Sequence, residues 1–389
     1  MPFQLPDRLK ALPPYLFVAI DRKKRALIDA GKDVISFGVG DPDQPTPSYI
    51  IQQLQKSAEN PAWHRYPHDL GLPGFRQEVA RFFQRRYNVA LDPDTEILTL
   101  IGTKEGLGHL ALATMNPGSM ALIPEPGYPV YRSSVLFAGG LPWTMELREE
   151  NDFLPDLKSI PKDVARNCSL LFINYPNNPT GAVAPRRFYE EAVRFAQEND
   201  LIVVSDAAYN EMYFSTPAPS ILEIPGAREV AVELHSLSKT FNMTGWRLGY
   251  AVGNAAVLAA LARLKSNLDS GQFSAIQEAG AAALRGYFDQ PDVPRLRAMY
   301  QERASILAEG LRTLGFRVRQ PQATFYLWCG IPKGQTSMGV VEKLLDEAAV
   351  VCVPGSGFGK TGEGYVRFAL TVSADRTREA IKRLQAVKW

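Results

Sequence analysis

Short apolar runs alternate along this chain with longer segments in which apolar residues recur at helical spacing. The short runs predict buried strands, and glycine or proline follows several of them, as is usual where a strand ends in a turn. Seven strands are predicted before residue 288, at Val34–Phe37, Glu96–Ile101, Met120–Ile123, Ser169–Ile173, Leu201–Ser205, Val230–Leu234 and Leu248–Gly253. Three more are predicted near the chain end, at Gly315–Val318, Thr324–Trp328 and Gly364–Leu370.

Helices are predicted between these strands. One follows Gly74, where Phe75, Val79, Phe82 and Phe83 recur at helical spacing and are expected to face a core. The other predicted helices are an N-terminal one that ends near residue 30, one at about 185–198, a long helical region to about 287 that residues 266–273 interrupt, and one after the prolines at 291–294. A chain of 389 residues is too long for one small core, so we expect two domains.

The composition is that of an ordinary globular protein. Hydrophobic residues make up 46% of the chain, and 43 basic against 41 acidic residues leave a net charge of +2. So small a net charge provides no field that would recruit nucleic acid or an anionic membrane, and we expect a small-molecule partner.

The cysteines indicate whether a metal is expected, and the N-terminal residues indicate the cellular compartment. Cys168, Cys329 and Cys352 are widely spaced and odd in number, which argues against a disulfide framework or a zinc site, and we expect no metal. The first residues carry no apolar stretch long enough for a signal peptide or a membrane span, so we expect a cytoplasmic protein.

The strongest candidate for chemistry is Lys239. Ser236 and Ser238 precede it, Arg247 follows it, and the predicted strand Val230–Leu234 leads into this segment. A lone lysine after a strand is usually a solvated surface residue. These neighbours suit an aldehyde cofactor that carries a phosphate, because the amine can form a Schiff base while Ser236 and Arg247 hold the phosphate dianion.

A second anion site is predicted where Gly102 turns a strand into a helix. Free N–H groups and the helix dipole at such a helix start both attract anions, although many α/β proteins have this turn without a phosphate. Together with the residues around Lys239, we expect Thr103 and Lys104 to form a second wall of one phosphate cup.

Aromatic and polar residues follow further strands. Tyr128 can stack on a flat heteroaromatic ring, whereas Tyr131 is expected to pack in the core. Asp206 ends a strand, where it is either a helix N-cap or a partner for a ring nitrogen. Gly40 lies in a turn that either simply ends its strand or lets the backbone approach a ligand closely.

These motifs resemble those of the fold-type I aminotransferases, which depend on pyridoxal 5′-phosphate. The resemblance extends over nearly the whole chain and includes Asn-Pro-Thr-Gly at 178–181 and the segment 236–247. It implies an α/β fold, with a mostly parallel seven-stranded sheet flanked by helices in a large domain and a smaller α/β terminal domain. The implied limits are 1–45 for an N-terminal arm and part of the small domain, 46–287 for the large cofactor-binding domain and 288–389 for the small C-terminal domain.

The resemblance also implies roles for single residues. Lys239 would hold the cofactor and transfer the proton, Asp206 would keep the pyridine nitrogen protonated, and Tyr209 would hydrogen-bond the phenolic oxygen. The implied cofactor contacts also include Thr103, Lys104, Tyr128, Asn178, Ser236 and Arg247, as well as Tyr66 from a neighbouring subunit. The implied substrate contacts are Gly40, Asn178, Tyr15 and Arg367, although an arginine on a strand more often faces water.

The implied reaction is transamination between an L-amino acid and a 2-oxo acid. Within the family, segments 101–107, 174–181 and 236–247 are most similar to LL-diaminopimelate aminotransferases of lysine biosynthesis, which use glutamate as the amino donor. Alternatives are an aminotransferase for alanine, aspartate or aromatic amino acids, and a β-lyase or decarboxylase with the same cofactor. A further alternative is a transcription regulator with an aminotransferase-like sensor domain, which would need a DNA-binding segment ahead of the first strand.

The resemblance further implies a homodimer. Tyr66 and the loop around Ser270 would each serve the active site of the neighbouring subunit. The expected partners are therefore an amino acid, a 2-oxo acid and a second copy of the chain.

Overall fold

The computed structural model describes residues 3–12 and 17–388. In these residues the helices are α1 (Asp7–Lys10), α2 (Phe17–Asp29), α3 (Ser48–Ala58), α4 (Pro73–Tyr87), α5 (Thr103–Thr114), α6 (Val130–Phe137), α7 (Lys162–Asn167), α8 (Arg186–Asn199), α9 (Ala227–Val230), α10 (Leu237–Thr240), α11 (Ala255–Leu268), α12 (Ser274–Gly286), α13 (Asp292–Thr313), α14 (Ser337–Ala348) and α15 (Ala374–Leu384). The strands are β1 (Ile35–Ser36), β2 (Ile97–Leu100), β3 (Met120–Glu125), β4 (Leu141–Glu146), β5 (Cys168–Asn174), β6 (Ile202–Asp206), β7 (Ala231–Ser236), β8 (Gly249–Gly253), β9 (Arg317–Val318), β10 (Tyr326–Gly330), β11 (Val350–Val351), β12 (Val353–Pro354) and β13 (Tyr365–Ala369).

A seven-stranded sheet forms the centre of the larger part of the molecule. Its strand order is β2-β8-β7-β6-β5-β3-β4. The pairs from β7 to β4 are parallel, and β8 runs antiparallel to both β7 and β2. The sheet is therefore mostly parallel, as expected.

Helices cover both faces of this sheet, because its strands are apolar on both sides. On β5, Leu170 and Phe172 face one apolar core together with α5, α6 and α11. The alternate residues Leu171 and Ile173 face another core with α4, α8 and α12. A strand that is buried on both faces gives the continuous apolar runs from which these strands were predicted.

The C-terminal part of the chain has its own apolar core. The antiparallel sheet β12-β13-β10-β9 packs against α13, α14 and α15. Ile35 and Phe37 belong to the same core, and β1 pairs in parallel with β11. The domain limits at residues 45 and 287 remain a prediction.

Three strands that the sequence analysis did not predict are present. Strand β4 lies at the sheet edge and buries only Met145 among its residues, so it lacks the apolar run of a central strand. Strands β11 and β12 are two residues long, too short to leave a pattern. The strand predicted at Thr324–Trp328 begins two residues later, because Thr324 has a φ of +63° and breaks the extended backbone.

The parallel strands also determine where a site can form. Strands β3, β5, β6 and β7 all end at one edge of the large sheet, and β2 ends there too, since it is antiparallel to β8. Loops after such strand ends are the usual position for ligands in α/β sheets. Among the described residues no helix is long and apolar enough to cross a membrane.

Candidate active site

A cavity of about 660 Å³ lies at this sheet edge, between the large sheet and the C-terminal part of the chain. Eleven of the residues predicted from sequence line it: Gly40, Thr103, Lys104, Tyr128, Asn178, Asp206, Tyr209, Ser236, Lys239, Arg247 and Arg367. Tyr66 is not among them and is 89% exposed, while Tyr15 lies outside the described residues. A larger groove of about 940 Å³ runs along β4, but it contains none of the predicted site residues.

Lys239 follows β7 on the short helix α10. Its Nζ donates a hydrogen bond to the backbone oxygen of Gly40 at 3.0 Å. Burial lowers the pKa of Lys239 to about 8; the Asp41 carboxylate opposes this shift, and the positive charges of Arg247 and Arg367 add to it. A substantial fraction of the amine is therefore neutral, and able to attack an aldehyde, close to neutral pH.

Residues from two different strand ends form one cationic and polar cup. Ser236 lies at the end of β7, while Thr103 and Lys104 form the first turn of α5, after β2. Gly102 has a φ of +78°, and a Cβ at this position would collide with the guanidinium of Arg247. Arg247 therefore packs directly against the α5 turn, and the two predicted walls form a single site.

A buried ionic network supports the turn before α5. Lys265 of α11 is 2% exposed, and its Nζ lies 2.8 Å from Glu105 Oε1 and 3.2 Å from both carboxylate oxygens of Asp269. Glu105 in turn accepts the backbone N–H of Ile101 at 3.0 Å. His109 brings a third possible metal ligand close to the two carboxylates, but the ammonium group of Lys265 already provides a positive charge there.

Asp206 lies at the end of β6 and is 4% exposed. Its Oδ2 accepts the hydroxyl of Tyr131 at 2.7 Å, and its Oδ1 accepts the backbone N–H of Ala208 at 3.2 Å. Burial raises the pKa of Asp206 to about 6, while these two hydrogen bonds and the nearby His235 act in the opposite direction. The carboxylate thus both caps the local turn and presents a buried, titratable group to the cavity.

Arg367 is held in place by groups from several elements. On β13 it is 6% exposed, and it donates to Asn178 Oδ1 and to the backbone oxygen of Gly38, both at 2.9 Å. Its Cζ lies 4.2 Å from the ring centroid of Tyr326 and 4.7 Å from that of Phe358. Its buried Nε has no hydrogen-bond partner among the described residues. Arg367 therefore retains donors for a carboxylate, and it does not face bulk water as an edge arginine would.

Two asparagines connect the ends of β5 and β6 to this arginine. Asn174 donates through Nδ2 to the backbone oxygen of Asp206 at 2.7 Å, and its Oδ1 accepts the N–H of Asn178 at 2.8 Å. The side chain of Asn178 then reaches Arg367. The positions of Asp206 and Arg367 are thus coupled through the loop after β5.

Tyr209 and Gly40 meet at Tyr326. The hydroxyls of Tyr209 and Tyr326 lie 3.2 Å apart in a buried position. A Cβ on Gly40 would overlap the Tyr326 hydroxyl, so only glycine fits at this position without a rearrangement. The close contact at Gly40 is thus with a side chain that sequence analysis did not identify, and the approach of its backbone to a ligand stays a prediction.

Sequence reasoning missed the residues that act on the predicted ones. Tyr131 packs as expected but also donates to Asp206. Tyr326 and Phe358 carry no recognisable motif of their own, since each is ordinary for a strand or a glycine-rich turn. Asn174 was noted only as the first residue of segment 174–181, without a role. Asp41 could have been predicted as a site residue from the sequence, because it directly follows Gly40 in the same turn.

The lowered pKa of Lys239 predicts the pH dependence of its reactivity. With a pKa of about 8, the neutral fraction of Lys239 should rise about tenfold between pH 7 and 9 and then level off. Stopped-flow absorbance of the cofactor-free protein mixed with pyridoxal 5′-phosphate would measure this rate, with a free alkylamine as the parallel control for titration of the aldehyde itself. A rate that keeps rising beyond pH 10, as for an ordinary lysine, would contradict the assignment.

The Tyr131 hydroxyl should hold down the pKa of Asp206. Tyr131→Phe removes a donor to the ionised carboxylate, so the pKa should rise from about 6 by about one more unit. Infrared titration of the carboxyl band, identified by its loss in Asp206→Asn, would measure the change. Tyr175→Phe is the matched control, since that buried hydroxyl donates to the backbone oxygen of Phe153. Equal titrations in both variants would mean that Tyr131 only packs.

Known proteins share this architecture over its full length. Residues 32–384 match the family model for class I and II aminotransferases. An LL-diaminopimelate aminotransferase from Syntrophobacter fumaroxidans is 55% identical over 390 residues, covering 100% of both chains. The structure of substrate-bound BacF from Bacillus subtilis matches with a TM-score of 0.94 and 36% identity, covering 98% of this chain and 97% of that one. A mutant aspartate aminotransferase from Thermus thermophilus matches with a TM-score of 0.93 and 30% identity, covering 99% and 100%.

These matches confirm the fold class that the sequence motifs implied. They also agree with the large, mostly parallel sheet. The chain belongs to the class I and II aminotransferases, an enzyme family that depends on pyridoxal 5′-phosphate.

Proposed function

We propose that this aminotransferase moves an amino group between LL-diaminopimelate and 2-oxoglutarate. The observation that carries the substrate assignment is the 55% identity, over the full length of both chains, to an LL-diaminopimelate aminotransferase. The residue sequences of segments 101–107, 174–181 and 236–247 support the same assignment. Amino acids such as aspartate or alanine are the alternative donors.

The donor set of the cavity fits pyridoxal 5′-phosphate. The cup formed by Ser236, Thr103, Lys104 and Arg247 suits a phosphate, and it is close-packed at Gly102. The buried Asp206 suits a protonated ring nitrogen, and Tyr128 is available to stack on the ring. When bound, the cofactor supplies an aldehyde for an amine and a conjugated ring that takes up the electron pair of the substrate Cα.

Side chains and backbone groups of the cavity bind the cofactor and the substrate and transfer the proton. Lys239 Nζ holds the cofactor, and as a free amine of lowered pKa it takes the proton from the substrate Cα. Arg367 binds the α-carboxylate with its remaining donors and so orients the Cα toward Lys239. Asp206 in its ionised form would hold a protonated ring nitrogen, and Tyr209 would donate its hydroxyl to the phenolic oxygen. Gly40 contributes its backbone to the substrate side of the cavity.

We further propose that the enzyme is a homodimer with shared active sites. Tyr66 is 89% exposed, Leu268 is 58% exposed and Phe273 is 39% exposed. Exposed apolar side chains that lie together in one patch mark interaction surfaces. A Cβ on Gly271 would lie 3.3 Å from Pro67, so the loop at 269–273 and the Tyr66 segment form one surface. A second copy that covers this surface would bring its Tyr66 to the phosphate cup.

The compartment is also a proposal. Cys168, Cys329 and Cys352 are buried and unpaired, which is typical of proteins in a reducing environment. We therefore expect the enzyme to act in the cytoplasm.

The substrate assignment can be tested by absorbance titration of the holoenzyme. LL-diaminopimelate and L-glutamate, in parallel cuvettes, should each convert the spectrum of the aldehyde form of the cofactor into that of its amine form. 2-Oxoglutarate should then restore the first spectrum, which a β-lyase or decarboxylase would not do. If glutamate acts and diaminopimelate does not, the reaction class remains and the proposed substrate is wrong.

Shared active sites can be tested by mixing two inactive variants. Lys239→Ala should fold but hold the cofactor without a covalent bond, and Tyr66→Ala should bind the phosphate weakly. After denaturation and refolding together in equal amounts, heterodimers contain one intact site each, so about a quarter of the wild-type activity should return. Each variant refolded alone is the control. No recovery, with mixed dimers present by mass spectrometry, would mean that Tyr66 serves its own subunit or none.

A further inference from the structure

Helix α2 brings two opposite charges to the substrate cavity. Ile20, Asp21 and Lys24 all line it, beside residues of the large sheet edge. Ile20 is 9% exposed and belongs to the apolar core of the C-terminal part, which fixes this face of the helix. The helix face that carries these two charged side chains therefore has a defined position at the cavity.

These charges lie in the outer part of the cavity. The charges that shift the pKa of Lys239 are those of Asp41, Arg247 and Arg367, and neither Asp21 nor Lys24 is among them. The side chain of Asp21 is 54% exposed and that of Lys24 is 26% exposed, whereas Lys239 is half-buried and Arg367 is buried. A substrate whose α-carboxylate binds Arg367 would share one cavity with this outer pair.

Asp21 and Lys24, the outer pair, form only a weak ion pair with each other. Lys24 Nζ lies 3.9 Å from Asp21 Oδ1, which is beyond hydrogen-bond distance. An ion pair this long and this exposed to water contributes little to stability. Both groups can therefore exchange their partner for a ligand at small cost.

We propose that Asp21 and Lys24 recognise the distal amino acid group of the substrate. Asp21 would bind the distal ammonium and Lys24 the distal carboxylate, so that one weak ion pair is replaced by two. This inference rests on the proposed function, because LL-diaminopimelate carries a second α-amino carboxylate at the far end of its methylene chain. Asp41 also lines the cavity, but its charge acts on Lys239.

The test compares two substrates that differ by one group. L-2-Aminopimelate has the same chain and distal carboxylate as LL-diaminopimelate but lacks the distal amine. Wild-type holoenzyme should show a lower KM for diaminopimelate than for 2-aminopimelate. Asp21→Asn should raise the KM for diaminopimelate about fivefold, while kcat and the KM for 2-aminopimelate stay unchanged. Lys24→Met should raise KM for both substrates. The two enzymes and two substrates form a double-mutant cycle for the contact between Asp21 and the distal amine.

A matched variant on the same helix controls for net charge. Asp29→Asn removes the same charge from an exposed position of α2 that does not line the cavity, and its kinetics should equal those of the wild type. If Asp21→Asn behaves like Asp29→Asn while the wild type uses diaminopimelate, the inference is wrong and the proposed function remains. If the wild type converts glutamate but not diaminopimelate, the proposed substrate is wrong and this inference fails with it.

Discussion

The parallel pairing of neighbouring strands in the large sheet is the constraint on which the site depends. Because β3, β5, β6 and β7 run in the same direction, the residues that follow them emerge at one edge. Tyr128, Asn178, Asp206 and Lys239 are separated by as many as 111 positions in the sequence, from 128 to 239, yet they line one cavity. In β7, Val232 and Leu234 share an apolar face and Glu233 and His235 are buried on the other, so a slip in register would exchange these faces and displace a site residue as well.

Burial gives this cavity its chemistry. The same loss of water raises the pKa of the Asp206 carboxyl to about 6 and lowers that of the Lys239 amine to about 8. Both pKa values are thereby brought nearer to neutral pH from opposite directions, so each group can gain or lose a proton there. The hydrogen bond from Tyr131 limits the shift of Asp206, and the charge of Asp41 limits that of Lys239.

Close packing links the two parts of the molecule at the substrate side. Arg367 comes from the C-terminal sheet, yet its partners are Asn178 of the large sheet edge and Gly38 of the N-terminal segment. Tyr326 contacts both this guanidinium and the Tyr209 hydroxyl, and it occupies the space that any side chain at position 40 would need. The proposed α-carboxylate site at Arg367 therefore lies at the junction of the two parts.

The sequence by itself determined the family, most strands of the large sheet and eleven of the cavity residues, because these depend on local features: an apolar run, a turn glycine and a reactive side chain at a fixed spacing. Only the tertiary structure decided that Tyr131 would hold Asp206, that Tyr326 would face Gly40 and that Asp21 would reach the cavity. It also revealed β4, whose mostly unburied residues give no apolar run. These contacts join residues far apart in the chain, and no local pattern records them, since the free energy that selects each partner comes from packing and desolvation in the folded state.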